Sequence, residues 1–158
     1  MERTAGLIVD TNLLVLYVVG SVNPERIETF KRTRQYARSD YDLLVRVLDK
    51  FDRLYSLAHV LAEVSNLTDL SGDERLLARL VLKKTISELT ELEMASSRAA
   101  EDPLYQDLGL TDAAIGALAR AHGCAVLTDD LGLYLMLSGE IEVHYFTHLR
   151  ATEWAISG

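Results

Sequence analysis

Cysteine is nearly missing from this chain. The one copy, Cys124, excludes an internal disulfide and any metal site built from a cysteine cluster. Proline is almost as scarce, with two in 158 residues. No low-complexity stretch or internal repeat breaks the sequence, so no linker suggests itself and one domain over 1–158 is expected. Long hydrophobic runs are missing as well. The most apolar N-terminal stretch, Leu13 to Val19, is far shorter than the ~20 residues that span a bilayer. Asp10, Thr11 and Asn12 interrupt the apolar region and no small-residue cleavage site follows, which argues against a secretory signal. These absences predict a cytoplasmic protein with no membrane partner. A surplus of positive charge is also lacking. The formal net charge is −8, whereas nucleic-acid binders usually carry a basic footprint. The balance is uneven, however. Arg26, Lys31, Arg32, Arg34 and Arg38 stand against one acid, Glu28, in a segment that is either a solvated helix face or a phosphate-contacting one.

What is present is an ordinary globular mixture, 49% hydrophobic and 25% charged, in a chain long enough to bury a proper core. Leu7-Ile8-Val9 is a short continuous apolar run of the kind that forms a strand buried on both faces. A first helix begins within Leu13 to Val19, and Gly20 to Pro24 forms a loop. Ser39 or Asp40 is placed to cap a helix with apolar residues Leu44, Val47, Leu48, Phe51, Leu54 and Tyr55 at three- and four-residue spacing. A short strand is expected near Leu54 to Ala58 and a helix around Val60, Leu61, Val64 and Leu67. The longest helical pattern runs from Asp73 to about Leu92, through Leu76, Leu77, Leu80, Val81, Ile86 and Leu89. A strand in Glu91 to Ala95 and a helix over Ala99 to Leu108 follow. Thr111 is placed to cap a helix that ends at His122-Gly123. Cys124 to Leu127 reads as a second buried strand, a short helix reaches Ser138-Gly139, Ile141 to Phe146 alternates like a strand, and Thr147 to Ile156 closes the chain as a helix. Strands alternating with helices predict an α/β domain with a mostly parallel central sheet.

In such sheets, sites form beyond the carboxyl ends of the strands. Asp10 follows the first strand, and Asp129 and Asp130 follow Cys124 to Leu127, so the rule puts them on one edge. Glu63 stands among apolar residues of a helix. Asp112 opens a helix of small residues, Ala113, Ala114, Ile115, Gly116 and Ala117. Each acid has an ordinary competing role. Asp10 or one of Asp129 and Asp130 can cap a helix, Asp112 can complement a helix dipole, and Glu63 can sit on a solvated face. Together they form a set of hard oxygen ligands suited to Mg²⁺ or Mn²⁺.

Four short motifs in order also resemble those of PIN-domain ribonucleases: Ile8-Val9-Asp10-Thr11-Asn12, Leu61-Ala62-Glu63-Val64, Leu110-Thr111-Asp112-Ala113-Ala114-Ile115 and Val126-Leu127-Thr128-Asp129-Asp130. The resemblance covers nearly the whole chain. It implies a three-layer α/β/α sandwich and Mg²⁺- or Mn²⁺-dependent cleavage of RNA. It carries the family's acids onto Asp10, Glu63, Asp112 and, by the spacing from a Thr, Asp130 rather than Asp129. Thr11, Asn12 and Thr128 take supporting polar positions. Many small members are VapC-type toxins, so a homodimer and an antitoxin partner are implied, although the stretch from Asp10 to Glu63 is longer than in the compact toxins.

The expected chemistry is phosphodiester hydrolysis, with Asp10, Asp112 and Asp130 as metal ligands and Glu63 holding a second ion or orienting water. The four histidines, His59, His122, His144 and His148, lack ligand spacing and read as structural or surface residues. Two rivals differ in class. Asp10-Thr11-Asn12 also resembles the start of haloacid-dehalogenase-type phosphatases, although those carry a second Asp where this chain has Asn12. A catalytically silent PIN-like module for binding or assembly is the other.

Overall fold

The computed structural model describes residues 6–157, with side chains through 153; the expected domain limits of 1 and 158 lie outside these. Five parallel strands form its sheet: β1 (Gly6–Val9), β2 (Arg53–Leu57), β3 (Thr90–Leu92), β4 (Ala125–Thr128) and β5 (Val143–Tyr145), in the order β3-β2-β1-β4-β5. Ile8 is in register with Tyr55 on one side and Val126 on the other. All residues of β1 and β4 are buried, which is why they read as unbroken apolar runs and not as alternating ones. The order in which strands are added reverses between β1 and β4, with β2 and β3 on one side and β4 and β5 on the other. The carboxyl ends of β1 and β4 therefore frame the crevice where α/β folds place their sites.

Helices cover both faces in a three-layer α/β/α arrangement. α1 (Thr11–Val22) starts directly after β1 and is buried along most of its length. A 3₁₀ turn at Pro24–Arg26 and a run of turns lead to α2 (Arg38–Leu48). Neither Ser39 nor Asp40 is the N-cap of α2. That position is Ala37, and the Asp40 carboxylate, three residues on, accepts the Ala37 N–H at 2.8 Å. α3 (Ala58–Leu67) and α4 (Asp73–Glu88) precede β3, which ends at Leu92 and so stops short of the strand expected to reach Ala95.

α4 buries Ala78 and Leu82 and leaves Leu76, Leu77, Leu80 and Ile86 exposed. Its close partner is α1. A small residue at 78 with Leu82 one turn later forms the seam, and the leucines flanking it face outward.

The helix expected over Ala99 to Leu108 is broken into α5 (Ser96–Ala99) and α6 (Tyr105–Leu108). Pro103 lies between them and cannot continue a helix, and Asp102 turns the chain by accepting the Leu104 N–H. α7 (Leu110–His122) is entered through Gly109 at φ 88° and left through Gly123 at φ 64°, conformations that cost other residues strain. The expected capping by Thr111 is thereby replaced, and its hydroxyl is free for another task. α8 (Leu131–Leu137) and α9 (Phe146–Ser157) complete the fold. Among the described residues no helix is long and apolar enough to cross a membrane.

Candidate active site

Asp10 leaves the sheet at the end of β1, where its N–H still bonds Leu127 O of β4 at 2.9 Å. Its side chain is turned back into the protein and is 7% exposed. One oxygen accepts the Thr11 N–H at 2.7 Å, which caps α1, and the other accepts the Thr128 hydroxyl at 2.7 Å. Thr128 ends β4 and is fully buried. Its hydroxyl oxygen in turn accepts the Asp130 N–H at 3.0 Å. Asp130 caps α8 by accepting the Leu133 N–H.

Glu63 lies one turn into α3 and points across the same edge. Its two oxygens accept the Thr11 hydroxyl at 3.1 Å and the Thr111 hydroxyl at 2.7 Å. Threonines thus stitch the acids together. Thr128 links Asp10 to the Asp130 backbone, Thr11 links Glu63 to the first turn beyond Asp10, and Thr111 links Glu63 to the first turn of α7. Asp112 stands in that turn, half-buried, and among the described residues no donor bonds its carboxylate.

The four acids feel one another. Burial pushes the Asp112 carboxyl up to about 7, helped by the negative charges of Asp10, Asp130 and Glu63. Asp10 is also raised, chiefly by burial, with Asp130 and Glu63 adding to it. The hydrogen bonds from Thr128 and Thr11 act the other way. No Lys or Arg pairs with any of these four among the described residues.

The remaining sequence candidates divide. Thr11 and Thr128 belong to the network. Asn12 is exposed on the first turn of α1. Asp129, next to Asp130, turns away: it accepts the Tyr36 hydroxyl at 2.6 Å and the N–H and hydroxyl of Thr147 at 2.9 and 2.6 Å. Tyr36 and Thr147 escaped the sequence reading, since nothing near them in the chain points to residue 129. Thr111 was noticed there only as a helix cap. The basic segment is partly spent, because Arg26 pairs with Glu74 and Lys31 with Asp69, while Arg32, Arg34 and Arg38 are exposed.

As the side chains lie, no three His, Cys, Asp or Glu of the described residues are close enough to share one ion. The donor chemistry nonetheless fits a hard divalent cation. Every candidate ligand is a carboxylate, each carboxylate oxygen that accepts a threonine keeps further lone pairs, and the mutual repulsion at Asp112 is what a cation relieves. A cleft of about 550 Å³ opens at the opposite edge, where β2 and β3 begin, and is remote from this chemistry.

A family model for the PIN domain matches residues 7–136. The chain belongs to the PIN-domain family. PIN domains are nuclease-type proteins that generally use divalent metals. The match includes the Asp10-Thr11-Asn12 segment, which leaves the phosphatase-like reading of that segment without support. No curated protein matches the sequence. Among solved structures, PAE2754 from Pyrobaculum aerophilum is similar over 96% of both chains, with 18% identity and a TM-score of 0.55. FitAB bound to an IR36 DNA fragment is similar over 89% of this PIN domain and 94% of that chain, with 17% identity and a TM-score of 0.55. At these identities the likeness is one of fold.

Proposed function

We infer that this PIN domain is a Mg²⁺- or Mn²⁺-dependent endoribonuclease acting through Asp10, Glu63, Asp112 and Asp130. The observation that carries the reading is the threonine network. Three hydroxyls, from Thr11, Thr111 and Thr128, orient the carboxylates of Glu63 and Asp10 at the carboxyl edge of one sheet, and Thr128 also ties in the Asp130 backbone. Helix capping alone does not require Glu63 to receive two hydroxyls from two other helices.

Asp10, Asp112 and Asp130 would hold the ion, and Glu63 would hold a second or orient the attacking water. A bound divalent cation supplies positive charge to a phosphodiester and lowers the pKa of water. Thr128 fixes the rotamer of Asp10, and Thr11 and Thr111 fix Glu63, so the carboxylates are preorganised before substrate arrives. The Asp112 carboxyl is raised to about 7, and the charge of a bound cation would favour its ionised form.

RNA as the substrate rests on the motif resemblance. FitAB holds a DNA fragment, so a DNA substrate belongs in the test. The toxin role, with an antitoxin partner and a homodimer, is part of the same reading, and the exposed Leu76, Leu77 and Leu80 of α4 offer a surface for a protein partner. In sedimentation at micromolar concentration a dimer supports this part, and a monomer removes the homodimer from it.

The test incubates the protein with Mn²⁺ and mixed-sequence RNA or single-stranded DNA. Cleavage of RNA is expected, with EDTA abolishing it and with Asp10→Asn and Asp112→Asn each slowing it by roughly 10²–10³-fold. Wild-type rates in both variants sink the site. RNA binding without cleavage points instead to a silent PIN-like binding module.

A further inference from the structure

The carboxyl edge of the sheet carries a second feature beside the acid cluster. A cleft of about 520 Å³ lies where β2 and β3 end and α3 begins, with His59, Glu91, Glu93, Met94 and Arg98 in its lining. Its size falls within the ~300–1,000 Å³ range of small-ligand pockets. Because the sheet is parallel, this cleft opens on the same side as Asp10 and Thr128. β2 adjoins β1, so the two features are separated by one or two strand spacings, about 5–10 Å.

α3 joins them. His59 stands one helical turn before Glu63, about 6 Å along the axis, and residues four apart share a helix face. Both are bonded to neighbouring helices. Glu63 accepts the Thr111 hydroxyl of α7, and His59 Nε2 is hydrogen-bonded to the Ser96 hydroxyl of α5 at 2.9 Å. α5 packs on α7. The His59–Glu63 face of α3 therefore runs from the cleft towards the acid cluster, held to α5 at one end and to α7 at the other.

The lining specifies what fits. Glu91 and Glu93 offset Arg98, so the cleft has no surplus positive charge for a phosphate. It has an apolar side chain in Met94, an imidazole for stacking, a guanidinium and two carboxylates. Those are the groups that hold a neutral, flat, hydrogen-bonding ring. We propose that this cleft binds the nucleobase next to the cleaved phosphodiester, with His59 and Arg98 holding the ring and Glu91 and Glu93 accepting its amino hydrogens. Cytosine, adenine and guanine carry an exocyclic amino group and uracil does not, so the cleft discriminates against uracil. The proposal rests on the ribonuclease reading for its position beside the cleaved bond.

Two measurements test it. In Mn²⁺ assays on mixed-sequence RNA, product ends are sequenced and KM is separated from kcat. Depletion of uridine on one side of the cut is expected. His59→Ala and Arg98→Ala are expected to raise KM about 5–10-fold, with the loss in KM and not in kcat. The double variant Glu91→Ala/Glu93→Ala is expected to erase the depletion. In the second measurement, cytidine or uridine monophosphate is titrated into ¹⁵N-labelled protein while the His59 ring signals are followed. Cytidine monophosphate shifts them in wild type and not in Arg98→Ala, and uridine monophosphate shifts them less. Unchanged KM and unchanged end sequences in all variants overturn the cleft while leaving the nuclease intact. If wild type cuts no RNA, the nuclease reading has failed and the titration alone decides. A His59 shift that depends on Arg98 keeps a base-binding cleft, and no shift removes it.

Discussion

Two groups of polar side chains meet at the turn after β4, one through Asp129 and the other through Asp130, and they are built on opposite rules. Around Asp129 neutral donors are backed by a cation that stacks on one of them and pairs with a second carboxylate. The Asp129 carboxylate receives Tyr36 and Thr147, the Arg150 guanidinium lies over the Tyr36 ring at 5.2 Å, and Arg150 Nε bonds the buried Asp40 at 2.9 Å. Burial and the bond to Asp129 push the Tyr36 phenol far above its usual range, so it stays a neutral donor. Around Asp130, carboxylates receive only hydroxyls and backbone N–H groups, and no Lys or Arg pairs with them among the described residues. Desolvating charge without an opposite partner costs folding free energy. A fold keeps such an arrangement where it is used, and the contrast separates the polar residues that hold the molecule together from those proposed to act.

The comparison breaks most visibly at Arg150. Its replacement by Ala leaves Asp40, 2% exposed, without its cation, and the loss of one partner of a buried pair costs about 3–5 kcal/mol. Chemical denaturation of Arg150→Ala checks this. The rate of the protein that remains folded is expected to match wild type, since Arg150 bonds none of the four site acids. Loss of activity beyond loss of folded protein would merge the two regions into one.

The neighbours themselves give the next test. Asn caps a helix as well as Asp does, so Asp130→Asn keeps the start of α8 and removes only charge. Roughly 100-fold slower RNA cleavage with an unchanged melting temperature is expected, a loss of about 2.7 kcal/mol of transition-state stabilisation. Asp129→Asn is expected to do the reverse, lowering stability by about 1 kcal/mol through its weakened bonds to Tyr36 and Thr147. A swap of these two phenotypes moves the fourth acid to Asp129.

Much of the active edge was legible in the sequence because burial leaves a local signature. β1 and β4 are covered on both faces, so Leu7-Ile8-Val9 and Ala125-Val126-Leu127 stand out as unbroken apolar runs, and the acids that follow them are placed by strand direction alone. Asp112 had its helix of small residues as well as the motif, whereas Glu63 rested mostly on the motif resemblance, since a helix pattern does not say which side chain crosses to another helix. The role of Thr111 was hidden because Gly109 makes the turn into α7 and leaves the hydroxyl for Glu63. Tyr36 gave no signal, because the residue it serves lies 93 positions away. The leucines of α4 show a related limit. The pattern marks a helix, but only the packing of Ala78 and Leu82 on α1 decides which face is buried.

A modest effect probes the uncompensated charge directly. The Asp112 carboxyl is raised from an ordinary value near 3.8 to about 7, first by burial and then by Asp10, Asp130 and Glu63. A raised carboxyl means that the folded protein holds a proton the unfolded chain has released. Its contribution to stability is complete below pH ~4 and is lost as pH rises towards 7. Asp10 is raised too and acts in the same direction. Asp69 and Glu74, lowered by their bonds to Lys31 and Arg26, act in the opposite direction, but only at acid pH, below the window of interest. Metal-free protein is therefore expected to be less stable at pH 8 than at pH 5, by about 1–2 kcal/mol after allowing for solvent screening of a half-buried group. That corresponds to about 2–8 °C in melting temperature. Asp112→Asn is expected to flatten the pH dependence and to melt above wild type at pH 8, whereas Asp129→Asn leaves the slope as it is. Mn²⁺ added at pH 8 restores wild type more than Asp112→Asn, since the ion takes the place of the proton. A metal-free wild type that gains stability from pH 5 to pH 8 would place Asp112 among compensated charges, and the distinction between the two groups would disappear.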